Sequence, residues 1–135
     1  MSGVLLDTHV IIWLAGGMAI QAAAREEIRR ALAENTAFIS AISAWEIAQL
    51  VVRGRVSMQM APGQWIDQFL TTTGCSALPL TLESAIAAAL LPPIHRDPAD
   101  RFLIATAVLN DLTLVTRDMK ILDYAETAHV RAIAC

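Results

Sequence analysis

Short apolar runs alternate along this chain with longer segments whose apolar residues recur at helical spacing. Val4-Leu5-Leu6 reads as a strand, and Val10 to Leu14 as a helix behind it. Residues 18–34 read as a second helix, with Arg25, Glu26, Glu27, Arg29, Arg30 and Glu34 as its charged positions. Ala37-Phe38-Ile39 is the next strand. Ser43 stands three residues ahead of Glu46, the capping-box spacing, and so predicts a helix over 44–53 that stops at Gly54. Pro62-Gly63 opens a helix over 64–72. Ala77-Leu78-Pro79-Leu80 reads as a short strand, and Thr81 caps a helix over 82–90 before Pro92-Pro93 breaks the chain. Asp97-Pro98 puts proline at a first helical position and predicts a helix over 99–110. Leu112 to Val115 is a strand, residues 119–125 a short helix, and Val130 to Ile133 the last strand.

The strands alternate little between apolar and polar residues, and helices separate them. That pattern predicts an α/β fold: a parallel sheet flanked by helices on both faces. Open sheets of this kind carry their sites outside the carboxyl ends of the strands. Asp7 directly follows the first strand, and Thr116, Arg117 and Asp118 directly follow the 112–115 strand, so both groups fall on one sheet edge. With no repeat, linker or low-complexity tract in 135 residues, the expectation is one domain over 1–135 with a core of its own.

Composition narrows the function. Hydrophobic residues make up 56% of the chain. A membrane span is nevertheless not predicted. The weakly polar stretch from Val10 to Ala24 is shorter than the roughly 20 residues a spanning helix needs, and it contains Gly16, Gly17 and Gln21. The N-terminal segment has no basic lead-in and carries Asp7 where a signal peptide would be apolar. The expectation is a cytoplasmic protein whose apolar excess is buried in its core or against a partner. Cys75 and Cys135 form neither a disulfide framework nor a metal-ligand spacing. A net charge of −3 counts against coating nucleic acid through a broad basic surface, but leaves open an enzyme that handles it through metal ions.

The carboxylates carry the candidate chemistry. Asp7 ends an apolar run, where an ionised carboxylate is costly unless paired or metal-bound; it is also placed to cap the next helix. Glu46 has apolar neighbours in Ala44-Trp45-Glu46-Ile47-Ala48, with a capping box to Ser43 as its alternative role. Asp97 and Asp100 share one side of a helix start, Asp97 as the cap and Asp100 free to face a site. Asp118 or Thr116 is placed to cap the following helix. Gathered at one sheet edge, these acids repel one another and a polyanionic substrate, and a hard divalent cation such as Mg²⁺ or Mn²⁺ reverses both effects. The histidines, at 9, 95 and 129, are scattered along the chain and give no sign of zinc. Neither a Gly-rich phosphate loop nor a GxSxG elbow occurs.

Four segments resemble the motifs of PIN-domain ribonucleases: Val4-Leu5-Leu6-Asp7-Thr8-His9, Ser43-Ala44-Trp45-Glu46-Ile47, His95-Arg96-Asp97-Pro98-Ala99-Asp100-Arg101 and Leu114-Val115-Thr116-Arg117-Asp118. Among these the chain is most similar to VapC-like toxins of bacterial toxin–antitoxin pairs. The resemblance implies a three-layer α/β/α sandwich, Mg²⁺ or Mn²⁺ at the acidic cluster, RNA hydrolysis, a homodimer and a cognate antitoxin that blocks the site. Carried over by position, Asp7, Glu46 and Asp100 are the core acidic residues and Asp118 the fourth, with Thr116 as the family's small hydroxyl residue. Asp97 is additional to the minimal family pattern, and both ligand and cap remain open for it.

Arg96, Arg101, Arg117 and Lys120 flank the acids and are candidates to hold RNA phosphates, with ordinary ion pairs as the alternative. Arg53 and Arg55 read as solvating the loop around Gly54, and Trp13, Trp45 and Trp65 as core or interface packing rather than base stacking. A phosphomonoesterase of haloacid dehalogenase type would need a second aspartate where His9 stands. A non-catalytic RNA- or protein-binding module has no need of four mutually repelling carboxylates. The helix over 44–53 is apolar around its whole axis, which predicts a groove beside Glu46 that receives an apolar antitoxin segment.

Overall fold

A computed structural model describes residues 3–93, 95–127 and 129–135. Strands β1 (Val4–Leu6), β2 (Ala37–Ser40), β3 (Ser76–Leu78), β4 (Thr113–Thr116) and β5 (Arg131–Ala134) form one sheet in the order β3-β2-β1-β4-β5. Every pairing is parallel, with Leu5 opposite both Phe38 and Leu114. The connections run through helices α1 (Thr8–Ala15), α2 (Ala22–Ala33), α3 (Ala41–Val52), α4 (Pro62–Thr73), α5 (Leu82–Leu90), α6 (Pro98–Leu109) and α7 (Met119–Ala125).

The strand residues explain the layers. In β1, Val4 and Leu6 point to one face and Leu5 to the other, and all three are fully buried. The Val4 and Leu6 face packs with Ile39 and Val115 against Val10, Ile11, Ile28 and Phe69 of α1, α2 and α4. The Leu5 face packs with Leu114 against Leu103, Ile104 and Ile121 of α6 and α7. Burying each such aliphatic side chain stabilises the fold by about 1.5–3 kcal/mol, which is why a strand apolar on both faces settles in the sheet centre. This is the three-layer arrangement expected from the sequence. Among the described residues no helix is long and apolar enough to cross a membrane.

Two helix starts differ from expectation by more than two residues. The second helix begins at Ala22, not residue 18, because the chain leaves α1 through Gly17 at φ +71° and the Met18 amide returns to the Trp13 carbonyl. Helix α3 begins at Ala41, capped by Ser40, whose hydroxyl accepts the Ile42 amide at 3.1 Å. The expected capping box between Ser43 and Glu46 therefore does not form, and Ser43 is a buried residue of the helix interior.

The chain passes from β1 through α1 and α2 to β2 on one side, and from β4 through α7 to β5 on the other. The two directions part between β1 and β4, the switch point where open sheets leave a crevice at their carboxyl edge.

Candidate active site

Asp7 leaves β1 at that crevice. Its amide donates to the Val115 carbonyl at 3.0 Å, which continues the β1–β4 ladder by one bond. Its carboxylate caps α1: Oδ1 accepts the Thr8 amide at 2.6 Å, and Oδ2 accepts the Thr116 hydroxyl at 2.6 Å. Burial pushes this carboxyl above its usual value, against the opposing pull of those two hydrogen bonds.

Glu46 enters from α3. Free of the capping box, its Oε1 accepts the Thr8 hydroxyl, and Thr8 Oγ1 also lies 2.9 Å from Ser43 Oγ. Thr8 and Ser43 thus form a small polar bridge between α1 and α3 that sequence reasoning missed. Burial raises the Glu46 carboxyl, and the nearby charges of Asp97 and Asp7 raise it further, while the Thr8 bond opposes them.

Helix α6 supplies the third arm. Asp97 is its N-cap and accepts the Ala99 amide at 2.9 Å, with Pro98 at the first helical position. Asp100, in the first turn, is pushed up to about 8, first by burial and then by the charges of Asp7, Asp97, Glu46 and Asp118. Asp118 caps α7 through Oδ1, which accepts the amides of Lys120 at 2.8 Å and Ile121 at 3.2 Å. Burial would raise Asp118, but the His95 hydrogen bond and the two helix amides outweigh it and hold the carboxyl below its usual value.

Asp7, Glu46, Asp97, Asp100 and Asp118 all line one cavity of about 260 Å³, together with His9 and Arg117. Thr116 is fully buried beneath it, donating to Asp7 and accepting the Asp118 amide at 3.0 Å. The structure therefore brings together every acidic residue the sequence singled out.

The histidines need correction. His95 is distant in sequence from Asp118, yet its Nε2 lies 2.9 Å from Asp118 Oδ2 and 3.0 Å from Asp100 Oδ2. The spacing of His95 before Asp97-Pro98 was the available signal: a residue just ahead of a capped helix start is carried to the same edge as the cap.

The arginines divide. The Arg101 guanidinium is committed to backbone carbonyls of Ala88, Ala89, Leu91, Pro92 and His95, at 2.6–3.3 Å. It closes the carboxyl end of α5 and the segment after it, and it is not available to hold a phosphate as expected. Arg117 donates to the carbonyls of Cys135 and Ala19 and lies 4.0 Å from the Trp13 ring centre, while still lining the cavity. Arg96 and Lys120 are exposed. Trp13 and Trp65 pack against the first core cluster as expected, but Trp45 is 56% exposed.

The donor set fits a hard divalent cation. Among the described residues, no lysine or arginine pairs with any of the five acids; the ion pairs they make are with His95 alone. Oxygen donors crowded in a half-buried site, with carboxyls forced upward by burial, are what a cation of the Mg²⁺ or Mn²⁺ kind relieves. His95, Asp100 and Asp118 also offer donor atoms within 4.8 Å of one another.

Comparison with known proteins agrees with this fold. The PIN domain family model matches residues 4–127, and the chain belongs to that family. Its sequence is 31% identical over 122 residues to Ribonuclease VapC22 of Mycobacterium tuberculosis (strain ATCC 25618 / H37Rv), covering 90% of this chain and 91% of that protein. Two solved structures share the fold. One is VapBC2 from Rickettsia felis bound to a promoter DNA fragment, with a TM-score of 0.70, 15% identity and 97% of each chain covered. The other is a toxin–antitoxin complex from Klebsiella pneumoniae, with a TM-score of 0.62, 24% identity and 97% and 96% of the chains covered.

Proposed function

We propose that this chain is a metal-dependent endoribonuclease, the toxin of a toxin–antitoxin pair, which hydrolyses RNA phosphodiester bonds at the Asp7–Glu46–Asp100 cavity. The observation that carries the reading is the convergence of five carboxylates in one cavity where no lysine or arginine pairs with them among the described residues. The named ribonuclease relative supports the substrate class.

Asp7, Glu46 and Asp100 would hold Mg²⁺ or Mn²⁺ from three separate elements, and Asp118 completes the acidic wall. The ion, when bound, supplies positive charge for a phosphodiester and lowers the pKa of a water. The chain's own residues set the frame: Thr116 and the Thr8 amide fix the Asp7 carboxylate, and the Thr8 hydroxyl fixes Glu46. Arg96 and Lys120 are exposed beside the acidic residues in the chain and are candidates to meet the RNA backbone, whereas Arg101 is spent on structure.

Two partner surfaces accompany the reading. A second cavity of about 260 Å³, lined by Trp45, Leu50 and Arg53, also contains Glu46 and Asp97 and so adjoins the acidic one. It suits an apolar antitoxin segment whose basic side chain reaches the carboxylates. Leu82, Ile86 and Leu90 are exposed at 86%, 60% and 79% and recur every four residues along α5, a stripe suited to a second copy in a homodimer.

The test is purified protein with RNA, DNA and a generic phosphomonoester, each with Mg²⁺, Mn²⁺ or EDTA. Cleavage of RNA alone, abolished by EDTA, is expected. Hydrolysis of the phosphomonoester, or RNA cleavage unaffected by EDTA, would overturn the reading.

A further inference from the structure

We propose that His95 is a positioning residue for the acidic site: it keeps its proton on Nε2 and uses it to hold Asp100 and Asp118 together, leaving the other oxygen of Asp100 for the metal. The inference rests on reading the cavity as a metal site. It concerns which side chains touch the ion and which act through others.

The hydrogen-bond pattern around the ring fixes the tautomer. The Asp97 amide donates to His95 Nδ1 at 3.2 Å, so Nδ1 presents its lone pair. In a neutral imidazole the proton then sits on Nε2. Nε2 is hydrogen-bonded to Asp118 Oδ2 at 2.9 Å and makes an ion-pair contact with Asp100 Oδ2 at 3.0 Å. A protonated Nε2 has no lone pair to give a metal. His95 therefore belongs to the hydrogen-bonding frame, although its donor atoms are close enough to be mistaken for a ligand set.

The same pattern divides the two aspartates. Asp118 Oδ1 already accepts the Lys120 and Ile121 amides, and its Oδ2 accepts from His95. Asp100 differs: among the described residues its Oδ2 has the His95 contact at 3.0 Å and its Oδ1 has no hydrogen-bond or ion-pair partner. Asp118 is thus the anchor that keeps His95 in place, and His95 in turn orients Asp100. The Asp97 cap completes the chain, since the residue that starts α6 also supplies the amide that sets the ring. The His95 side chain is 10% exposed, so little water competes for these contacts.

Two measurements test this. Long-range proton–nitrogen NMR of the ¹⁵N-labelled wild type reads the His95 tautomer with and without Mg²⁺, and calorimetry follows Mg²⁺ binding to wild type, His95→Ala and His95→Gln. The expected result is a protonated Nε2 in both states. His95→Ala should bind Mg²⁺ about tenfold more weakly, the range for lost outer-shell partners, and His95→Gln, whose amide can still donate, should recover most of that loss. Loss of the Nε2 proton on adding Mg²⁺ would make His95 a direct ligand and overturn the proposal. Equal or tighter Mg²⁺ binding by His95→Ala would overturn it too, while leaving the metal reading intact. No Mg²⁺ binding by the wild type would overturn both.

Discussion

One hydroxyl joins the two central strand ends: Thr116 Oγ1 donates to Asp7 Oδ2 at 2.6 Å and accepts the Asp118 amide at 3.0 Å. Asp7 is 8% exposed and Thr116 fully buried, so neither bond is readily replaced by water. Thr116→Val keeps the shape but leaves a buried carboxylate oxygen and an amide without their partner. The expected cost is about 1–3 kcal/mol of stability. Thr116→Ser should restore most of it. Chemical denaturation of the two variants checks this; equal stability of Thr116→Val and wild type would contradict the role.

Removing metal should expose a pH dependence set by Asp100. Its carboxyl is raised from 3.8 to about 8, by burial first and by four neighbouring carboxylates after that. Between those values the folded state binds more protons than the unfolded chain. Stability from this group is therefore full below about pH 4 and is lost as pH rises to about 8. Asp7 and Glu46 are raised too and act in the same direction, while the lowered Asp118 opposes them. In EDTA the melting temperature should fall as pH rises from about 5 to 8, and Asp100→Asn should remove most of that fall at the upper end. Mg²⁺ competes with these protons, so its affinity should rise over the same window. A flat EDTA profile that Asp100→Asn leaves unchanged would contradict the assignment.

Much of this was legible in the sequence, and the reason is local. Caps and prolines announce themselves: Asp97-Pro98 marked the start of α6, and the apolar β1 and β4 placed Asp7 and Asp118 on one edge. What stayed hidden depends on which partner a side chain chooses across the fold. Ser43 has the spacing of a capping box with Glu46, but Ser40 takes the cap and leaves Ser43 to meet Thr8. Arg101 follows an acidic motif and looks like a phosphate ligand, yet five carbonyls from α5 and the loop after it claim it. His95 looked isolated because its partners lie on α6 and before α7. No local pattern encodes those choices.

Arg101 yields a stability prediction separate from catalysis. Its guanidinium is the shared donor for the carboxyl end of α5, and hydrogen bonds to a charged group contribute about 1.5–3 kcal/mol each before overlap. Arg101→Lys keeps the charge but loses the planar fork. It should lower stability by roughly 2 kcal/mol, with Mg²⁺ affinity changed much less. Thermal unfolding with and without Mg²⁺ separates the two. An unchanged melting temperature would show that the carbonyls find other donors.

Leu50 lines the cavity that adjoins Glu46 and is not among the residues that line the acidic cavity itself. Leu50→Glu should weaken capture of the operon-neighbour antitoxin by at least about tenfold, the effect of a desolvated like charge in an apolar groove, and leave RNA cleavage near wild type. Pull-down and cleavage assays run side by side decide it. Undiminished antitoxin binding would move the partner surface elsewhere.

The most direct measurement is RNA cleavage in Mn²⁺ or Mg²⁺ by Asp7→Asn, Glu46→Gln and Asp100→Asn, with circular dichroism to confirm that each is folded. Each variant removes one charge from the shared cluster and keeps the shape of the side chain. The expected result is near-complete loss of cleavage in all three folded proteins, with no smaller loss for the residue from α3 than for those from β1 and α6. A folded variant of any of the three that cuts RNA at the wild-type rate would contradict the single acidic site on which the proposed function rests.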